Sequence, residues 1–127
     1  MSSKDLKNNI NVEPTITAVT VGAATTTGDP IDVKGYEGVT VELTSGLLSV
    51  GTLAIHESDA SGSGFAAAAA GDVIGTQLSS LVIDDVITLG YIGEKRYVKA
   101  VVVTSTGGII AANVIMSHPH VAPTGAN

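Results

Sequence analysis

Hydrophobic and polar residues alternate along much of the chain with the period of two that is typical of a β-strand. In the segment VTVELT, residues 39–44, the two valines and the leucine fall on one side, and the two threonines and the glutamate fall on the other. The same alternation places Leu53 and Ile55 inward and His56 on the opposite side. This pattern predicts strands with one buried face.

Strand-length segments recur at short intervals and are separated by Gly, Pro, Asp and Ser. Parallel strands would need crossover helices, and no segment has the length and pattern of such a helix. The alanine-rich segment 65–72 spans little more than one turn before Gly71, so it predicts a loop or a single turn. We predict an all-β fold: an antiparallel β-sandwich or jelly-roll-like barrel of about seven or eight short strands.

Two of these segments are apolar on both faces. YVKAVVV, residues 97–103, is interrupted by Lys99, and IIAANVIM, residues 109–116, is interrupted by Asn113. Strands of this kind are buried on both sides. They predict a hairpin in the middle of the fold, or a hairpin whose outer face meets another subunit.

The length of 127 residues is that of one domain. We expect a single β domain over residues 15–116. The segments 1–14 and 117–127 lack a strong core pattern, so we expect them to form an extended N-terminal arm and a C-terminal tail.

The composition favours contacts with other proteins. Hydrophobic residues make up 44% of the chain, whereas charged residues make up 14% and aromatic residues 3%. This apolar content predicts an exposed interface, although a core of small Ala and Val residues would also account for part of it. The net charge of −6 disfavours nucleic acid and anionic membrane surfaces as partners. We found no signal peptide and no run long enough for a membrane span.

Candidate chemistry is sparse. His56, His118 and His120 are the three histidines, but Pro119 favours an extended backbone in which successive imidazoles diverge, so a metal site is not expected. The chain has no cysteine. Ser63 lacks the glycine spacing of a hydrolase nucleophile. We therefore expect no enzyme and no cofactor.

Two acidic residues follow His56 and form the best acid-base cluster in the sequence. Glu57 and Asp59 fall on one side of the chain if this segment is extended. Polar residues at a strand end are ordinary, so a solvated loop mouth is the favoured interpretation. The basic run EKR, residues 94–96, is interpreted as a solvated hairpin turn.

Five segments together resemble a family of small virion proteins of tailed bacteriophages and prophages, which are commonly regarded as head decoration or minor capsid proteins. The resemblance spans nearly the whole chain and rests on LKNNI (6–10), DVKGYEGVTVEL (32–43), IHESDASGSGF (55–65), GYIGEKRYVKAVVV (90–103) and SHPHVAP (117–123). The alanine-rich stretch 66–70 departs from the family pattern, where more polar residues would be expected.

The resemblance implies a capsid decoration protein that binds the outer surface of the phage head as a homotrimer and stabilises the major capsid protein. It implies a location in the virion, after assembly in the bacterial host cytoplasm. Arms can add strands or lie in grooves on a neighbour. On this basis we expect partner contacts from Ile10, Val12, His118, Pro119, His120, Val121 and Pro123.

Two other function classes remain open from the sequence. One is a tail-associated or surface β-sandwich that binds a glycan or a receptor through loops such as residues 58–65, because loops on rigid sandwiches often carry binding sites. The other is a metal-assisted enzyme that uses the three histidines, and it is limited by the small number of ligands.

Overall fold

The structure is a computed structural model that describes residues 9–22, 24–46, 51–75, 79–80, 86–104 and 108–119. Within this part of the chain it contains eleven strands and the 3₁₀ turn Ala70–Asp72. The strands are β1 (Ile10–Val21), β2 (Ala24–Thr27), β3 (Ile31–Asp32), β4 (Tyr36–Ser45), β5 (Gly51–Ser58), β6 (Ala66–Ala67), β7 (Val73–Ile74), β8 (Ser79–Ser80), β9 (Val86–Tyr91), β10 (Tyr97–Thr104) and β11 (Gly108–Pro119).

The strands form two antiparallel sheets. The five-stranded sheet has the order β1-β11-β4-β9-β7. The six-stranded sheet has the order β2-β10-β5-β6, with β3 also paired to β10 and β8 to β5. The predicted all-β antiparallel fold is confirmed, and it is a sandwich. The strands outnumber the prediction because β3, β6, β7 and β8 have only two residues each.

The core lies between the two sheets and follows the predicted alternation. Val41 and Leu43 of β4 are 0% and 1% exposed, and Thr44 beside them is exposed. Leu53 and Ile55 of β5 are fully buried as predicted. The inner positions of β9, β10 and β11 complete the core with Leu89, Tyr91, Val98, Ala100, Val102, Ile110, Ala112, Val114 and Met116.

The two segments that are apolar on both faces are central strands, but they do not form the predicted hairpin. β11 lies between β1 and β4, and β10 lies between β2 and β5 in the other sheet. Residues 105–107 of the expected turn lie outside the described part of the chain. The prediction of a hairpin was wrong because a short connection can cross from one sheet of a sandwich to the other as readily as it can reverse within one sheet.

The five-stranded sheet extends into both segments that were expected to be arms. β1 begins at Ile10 and β11 ends at Pro119, and the two strands pair from Ile10 with Ser117 to Val21 with Gly108. Residues 10–14 and 117–119 are therefore strand residues. Residues 1–8 and 120–127 lie outside the described residues.

A buried threonine on an irregular part of β1 joins the two sheets. The register with β11 shifts between Pro14 and Ile16, and Thr15 at this shift is only 1% exposed. Its hydroxyl donates to the carbonyl of Asp29 at 2.8 Å and accepts from the amide of Ala100 at 3.3 Å. Because this hydroxyl both donates and accepts a hydrogen bond, its burial leaves no polar group without a partner. Thr15 therefore links β1 to β10 across the core.

The connection 92–96 between β9 and β10 also joins the sheets. The Tyr91 hydroxyl donates to Glu57 Oε1 of β5 at 2.5 Å and accepts from the amide of Lys95 at 3.1 Å. Burial, and then the hydrogen bond to Glu57, raise the pKa of Tyr91 above its ordinary value, so the phenol stays protonated and keeps donating.

The basic run 94–96 lies in this connection between sheets rather than in the predicted hairpin turn. Arg96 donates to both carboxylate oxygens of Asp32, at 2.8 and 3.1 Å, and Lys95 Nζ lies 2.9 Å from Asp59. The hydrogen bonds from Arg96 lower the pKa of Asp32. Both ion pairs are largely solvent-exposed, so they position the loop more than they stabilise the fold.

The Thr15 junction predicts a specific requirement for glycine at position 28. A Cβ at Gly28 would lie 2.8 Å from the Thr15 carbonyl oxygen and 3.0 Å from that of Ala100, so Gly28→Ala is expected to lower the free energy of unfolding by about 1–3 kcal/mol. The free energy of unfolding is measured by urea denaturation. Gly71→Ala is the control, because nothing lies within 4 Å of a Cβ there. Equal stability of the two variants would contradict this account of the junction.

The Tyr91 hydroxyl generates a second prediction. Tyr91→Phe removes the hydrogen bond to Glu57 and is expected to lower the free energy of unfolding by about 1–2 kcal/mol, since this bond has a carboxylate acceptor. Tyr36→Phe is the matched control, because no hydrogen bond of the Tyr36 hydroxyl occurs among the described residues, and we expect a change within about 0.5 kcal/mol. Similar losses in both variants would show that the Tyr91 hydroxyl does not hold the connection.

Candidate interaction surface

Two of the predicted contact residues lie on the first strand at one end of the five-stranded sheet. Ile10 pairs with Ser117, and Val12 pairs with Ile115. All four residues are half-buried. The structure therefore brings the beginning of β1 and the end of β11 together, and it places two predicted contacts side by side on one surface.

The remaining predicted contacts lie at the end of the chain. His118 and Pro119 are the last two residues of β11, and the backbone of Pro119 lies opposite Tyr36 of β4. The predicted contacts His120, Val121 and Pro123 lie outside the described residues. Part of the His-Pro-His motif is thus strand rather than tail.

The outer face of the five-stranded sheet is formed by the positions that alternate with the core residues. Strand pairing aligns these positions across the sheet, with Ile115 opposite Thr40 and Thr40 opposite Gly90. We call this surface the apolar face. It comprises Ile10, Val12, Pro14, Gly38, Thr40, Glu42, Thr44, Ile74, Val86, Thr88, Gly90, Ile109, Ala111, Asn113, Ile115 and Ser117.

Large aliphatic side chains stand exposed on the apolar face. Ile74 is 61% exposed, Val86 59% and Ile109 46%. Single exposed aliphatic residues are ordinary on soluble proteins, whereas several of them on one sheet face, two of which line one groove, favour association with another protein.

Glu42 is the charged residue among the described positions of the apolar face, and both of its carboxylate oxygens are occupied. Oε1 accepts from Asn113 Nδ2 at 3.2 Å, and Oε2 accepts from Thr44 Oγ1 at 2.7 Å. A carboxylate that already has neighbouring donors loses less on removal from water than a bare one. The face can therefore be covered by another protein without leaving that charge without hydrogen bonds.

A shallow groove of about 470 Å³ lies at one end of the apolar face. Val86 and Ile109 stand on its walls, and Ala18 and Ala111 also line it. Small residues beside protruding aliphatic ones give the surface both a depression and a ridge. An apolar side chain from another molecule fits such a depression.

The outer face of the six-stranded sheet is different in character. Lys99 Nζ lies 4.0 Å from the centre of the Phe65 ring, and Arg96 lies 5.2 Å from the centre of the Tyr97 ring. Arg96 also pairs with Asp32. This side of the sandwich thus carries fixed charges and cation–π contacts, which keep it well solvated.

The acid-base cluster suggested by the sequence is not assembled. Glu57 accepts from Tyr91 and points toward the edge of the core, whereas Asp59 pairs with Lys95. Burial, and then a neighbouring lysine ammonium, lower the pKa of His56. Within the described residues no group of three metal-ligating side chains occurs, and no helix there has the length and apolarity needed to span a membrane.

Sequence reasoning missed Ile74 and Val86 as surface residues. Val86 begins the series Val86, Thr88, Gly90, which alternates with the core series Ile87, Leu89, Tyr91. A strict count of alternate positions would have placed Val86 outside. Ile74 lies in a strand of only two residues, and nothing in the sequence marks it.

Comparisons with known proteins show the fold. No family model and no curated protein matches the sequence. The solved structure of the SPBc2 prophage-derived protein YomS is similar over 85% of this chain and 92% of that chain, with 15% sequence identity and a TM-score of 0.58. At this identity the similarity supports the sandwich architecture alone.

Two further solved structures are more distant. PirA is similar over 92% of this chain and 100% of that chain, with 10% identity and a TM-score of 0.42. The structure of infectious bursal disease virus Gx strain is similar over 86% of this chain and 32% of that chain, with 11% identity and a TM-score of 0.44. Neither similarity carries weight for function.

Proposed function

We propose that this chain is a virion structural protein that decorates the capsid. It binds the outer surface of a bacteriophage head as a homotrimer and stabilises the major capsid subunits. The observation that carries this assignment is the apolar face, a five-stranded surface with exposed aliphatic residues and one hydrogen-bonded carboxylate. Such a surface is suited to lasting contact with protein.

Three other observations support the same function. The sequence segments 6–10, 32–43, 55–65, 90–103 and 117–123 resemble those of small phage head proteins. The solved structure described as a prophage-derived protein has a similar sandwich. The net charge of −6 disfavours nucleic acid and anionic membranes as partners, which agrees with a role in contacts between proteins. In this role the chain catalyses no reaction and carries no cofactor.

The contacts with the capsid involve both ends of the chain. Ile10 and Val12 lie beside the end of β11, so the beginning and the end of the described sheet lie at the same place. Two strand ends that lie together can contact one neighbour, and residues 120–123 include the predicted contacts His120, Val121 and Pro123.

The location in the particle is tested by labelling. Particles are purified from the bacterial host whose phage or prophage encodes the chain, and the chain is sought by mass spectrometry and by gold-labelled antibody in electron microscopy. We expect label over the head. Label confined to the tail would favour a tail-associated binding module, and absence from the particle would refute a virion role.

Removal of residues 120–127 is expected to weaken attachment to heads at least about tenfold, because the contacts His120, Val121 and Pro123 are lost. The truncation leaves β11 complete to Pro119, so the free energy of unfolding should not change. Attachment is measured by co-sedimentation with heads that lack the chain.

The matched control carries the same eight residues in scrambled order and should also attach weakly. Attachment of the truncated chain as tight as that of the full chain would show that this segment makes no contact. Tight attachment of the scrambled chain would show that its length matters and its side chains do not.

A further inference from the structure

We infer that the apolar face, outside its Ile10 and Val12 end, is the surface through which copies of this chain contact one another. The copy number of three rests on the proposed function, whereas the choice of this face rests on its charge, its shape and its size. Aliphatic side chains that a sheet face exposes to water carry a free-energy cost. Contact with another copy would bury these side chains and remove that cost.

Charge favours a second copy at this face. Each chain carries a net charge of −6, so two copies repel one another wherever their acidic regions approach. Within the described residues, Asp32 and Asp59 each pair with a basic residue of the connection 92–96, and Glu42 is the carboxylate among the positions assigned to the apolar face. Like-charged copies that meet through these positions therefore bring few acidic groups together.

The hydrogen bonds of Glu42 lower the cost of covering its charge at this contact. Its two oxygens are held by Asn113 and Thr44 of the same face, so no partner residue is needed to satisfy it. A foreign partner chosen by charge would instead be drawn to the exposed acidic groups elsewhere on the molecule. Another copy, which brings the same nearly uncharged surface, is the occupant that fits.

Shape supports self-contact. Ile109 and Val86 protrude beside a groove of about 470 Å³ that small residues also line. One copy therefore supplies both a ridge and a depression, and residues of one copy can enter the groove of the next. Contacts of this kind close into a ring when the rotation between neighbours permits it.

The size of the face limits the strength of the contact. Five strands about 4.8 Å apart, with about nine residues per strand at roughly 3.3 Å each, give a footprint of roughly 600 Å². Where the whole face of one copy covers that of another, the two footprints make roughly 1,200 Å², which is the lower limit of stable interfaces, and in a ring each copy divides its face between two neighbours. The interface is therefore modest, and one added charge without hydrogen-bond partners should be enough to break it.

The decisive experiment compares two lysine substitutions at equal exposure. Ile109 on the apolar face and Val103 on the outer face of the six-stranded sheet are both 46% exposed. By analytical ultracentrifugation we expect the wild type and Val103→Lys to associate equally. Ile109→Lys is expected to weaken association roughly 30-fold or more, because it places an unpaired ammonium in the interface.

A second pair guards against a folding defect in Ile109→Lys. Thr88 of the apolar face and Thr25 of β2 are both exposed, so arginine at either position leaves the core intact. Thr88→Arg should dissociate the copies, and Thr25→Arg should not. Thermal unfolding monitored by circular dichroism checks that all four variants fold.

Two results would overturn the inference: a wild type that stays monomeric at high concentration, or folded Ile109→Lys and Thr88→Arg variants that associate as tightly as the wild type. The labelling of phage heads tests the proposed function independently of self-contact. A monomer that still attaches to heads would leave the decoration role in place, whereas an associating chain that is absent from particles would remove that role and leave the self-contact.

Discussion

The structure depends on the packing of two antiparallel sheets through their inner faces. Because side chains alternate along a strand, each strand can give only one of its faces to this core. The inner positions of β4, β5, β9, β10 and β11 supply aliphatic residues that exclude water, and their burial is the main stabilising contribution. The same alternation leaves a second set of apolar residues outside, which the fold by itself cannot bury. Part of the excess of hydrophobic residues is thus located on the outer face of the five-stranded sheet, at Ile74, Val86 and Ile109.

Polar groups inside the sandwich serve to align the sheets. Thr15 joins β1 to β10, and Tyr91 joins β9 to Glu57 of β5, so each sheet is held to the other at separate points along the core. Described buried side-chain nitrogen and oxygen atoms all have hydrogen-bond partners. The segment GYIGEKRYV therefore has a structural explanation: Tyr91, Lys95 and Arg96 hold the connection between the sheets.

The two outer faces differ in ways that match the proposed role. A protein that decorates a capsid must stay soluble before assembly and must bury apolar surface afterwards. The six-stranded sheet carries lysine, arginine and aromatic side chains in cation–π contacts, which suit it to solvent and to polar neighbours. The five-stranded sheet carries aliphatic residues and a single hydrogen-bonded carboxylate. The Lys99–Phe65 contact and the exposed Ile74, Val86 and Ile109 thus lie on opposite sides of the described sandwich.

The sequence by itself determined the class of fold and the inner face of the long strands, because a period of two is a local property that residues such as Val41, Leu43, Leu53 and Ile55 display without any partner. The choice of sheet for each strand was decided by tertiary structure. The sequence of β10 and β11 predicted a hairpin, yet the two strands lie in different sheets. The residues between two strands do not by themselves determine whether the chain turns back within one sheet or crosses to the other. The apolar face was likewise invisible as a unit, because its members come from β1, β4, β7, β9 and β11 and meet only when those strands pair.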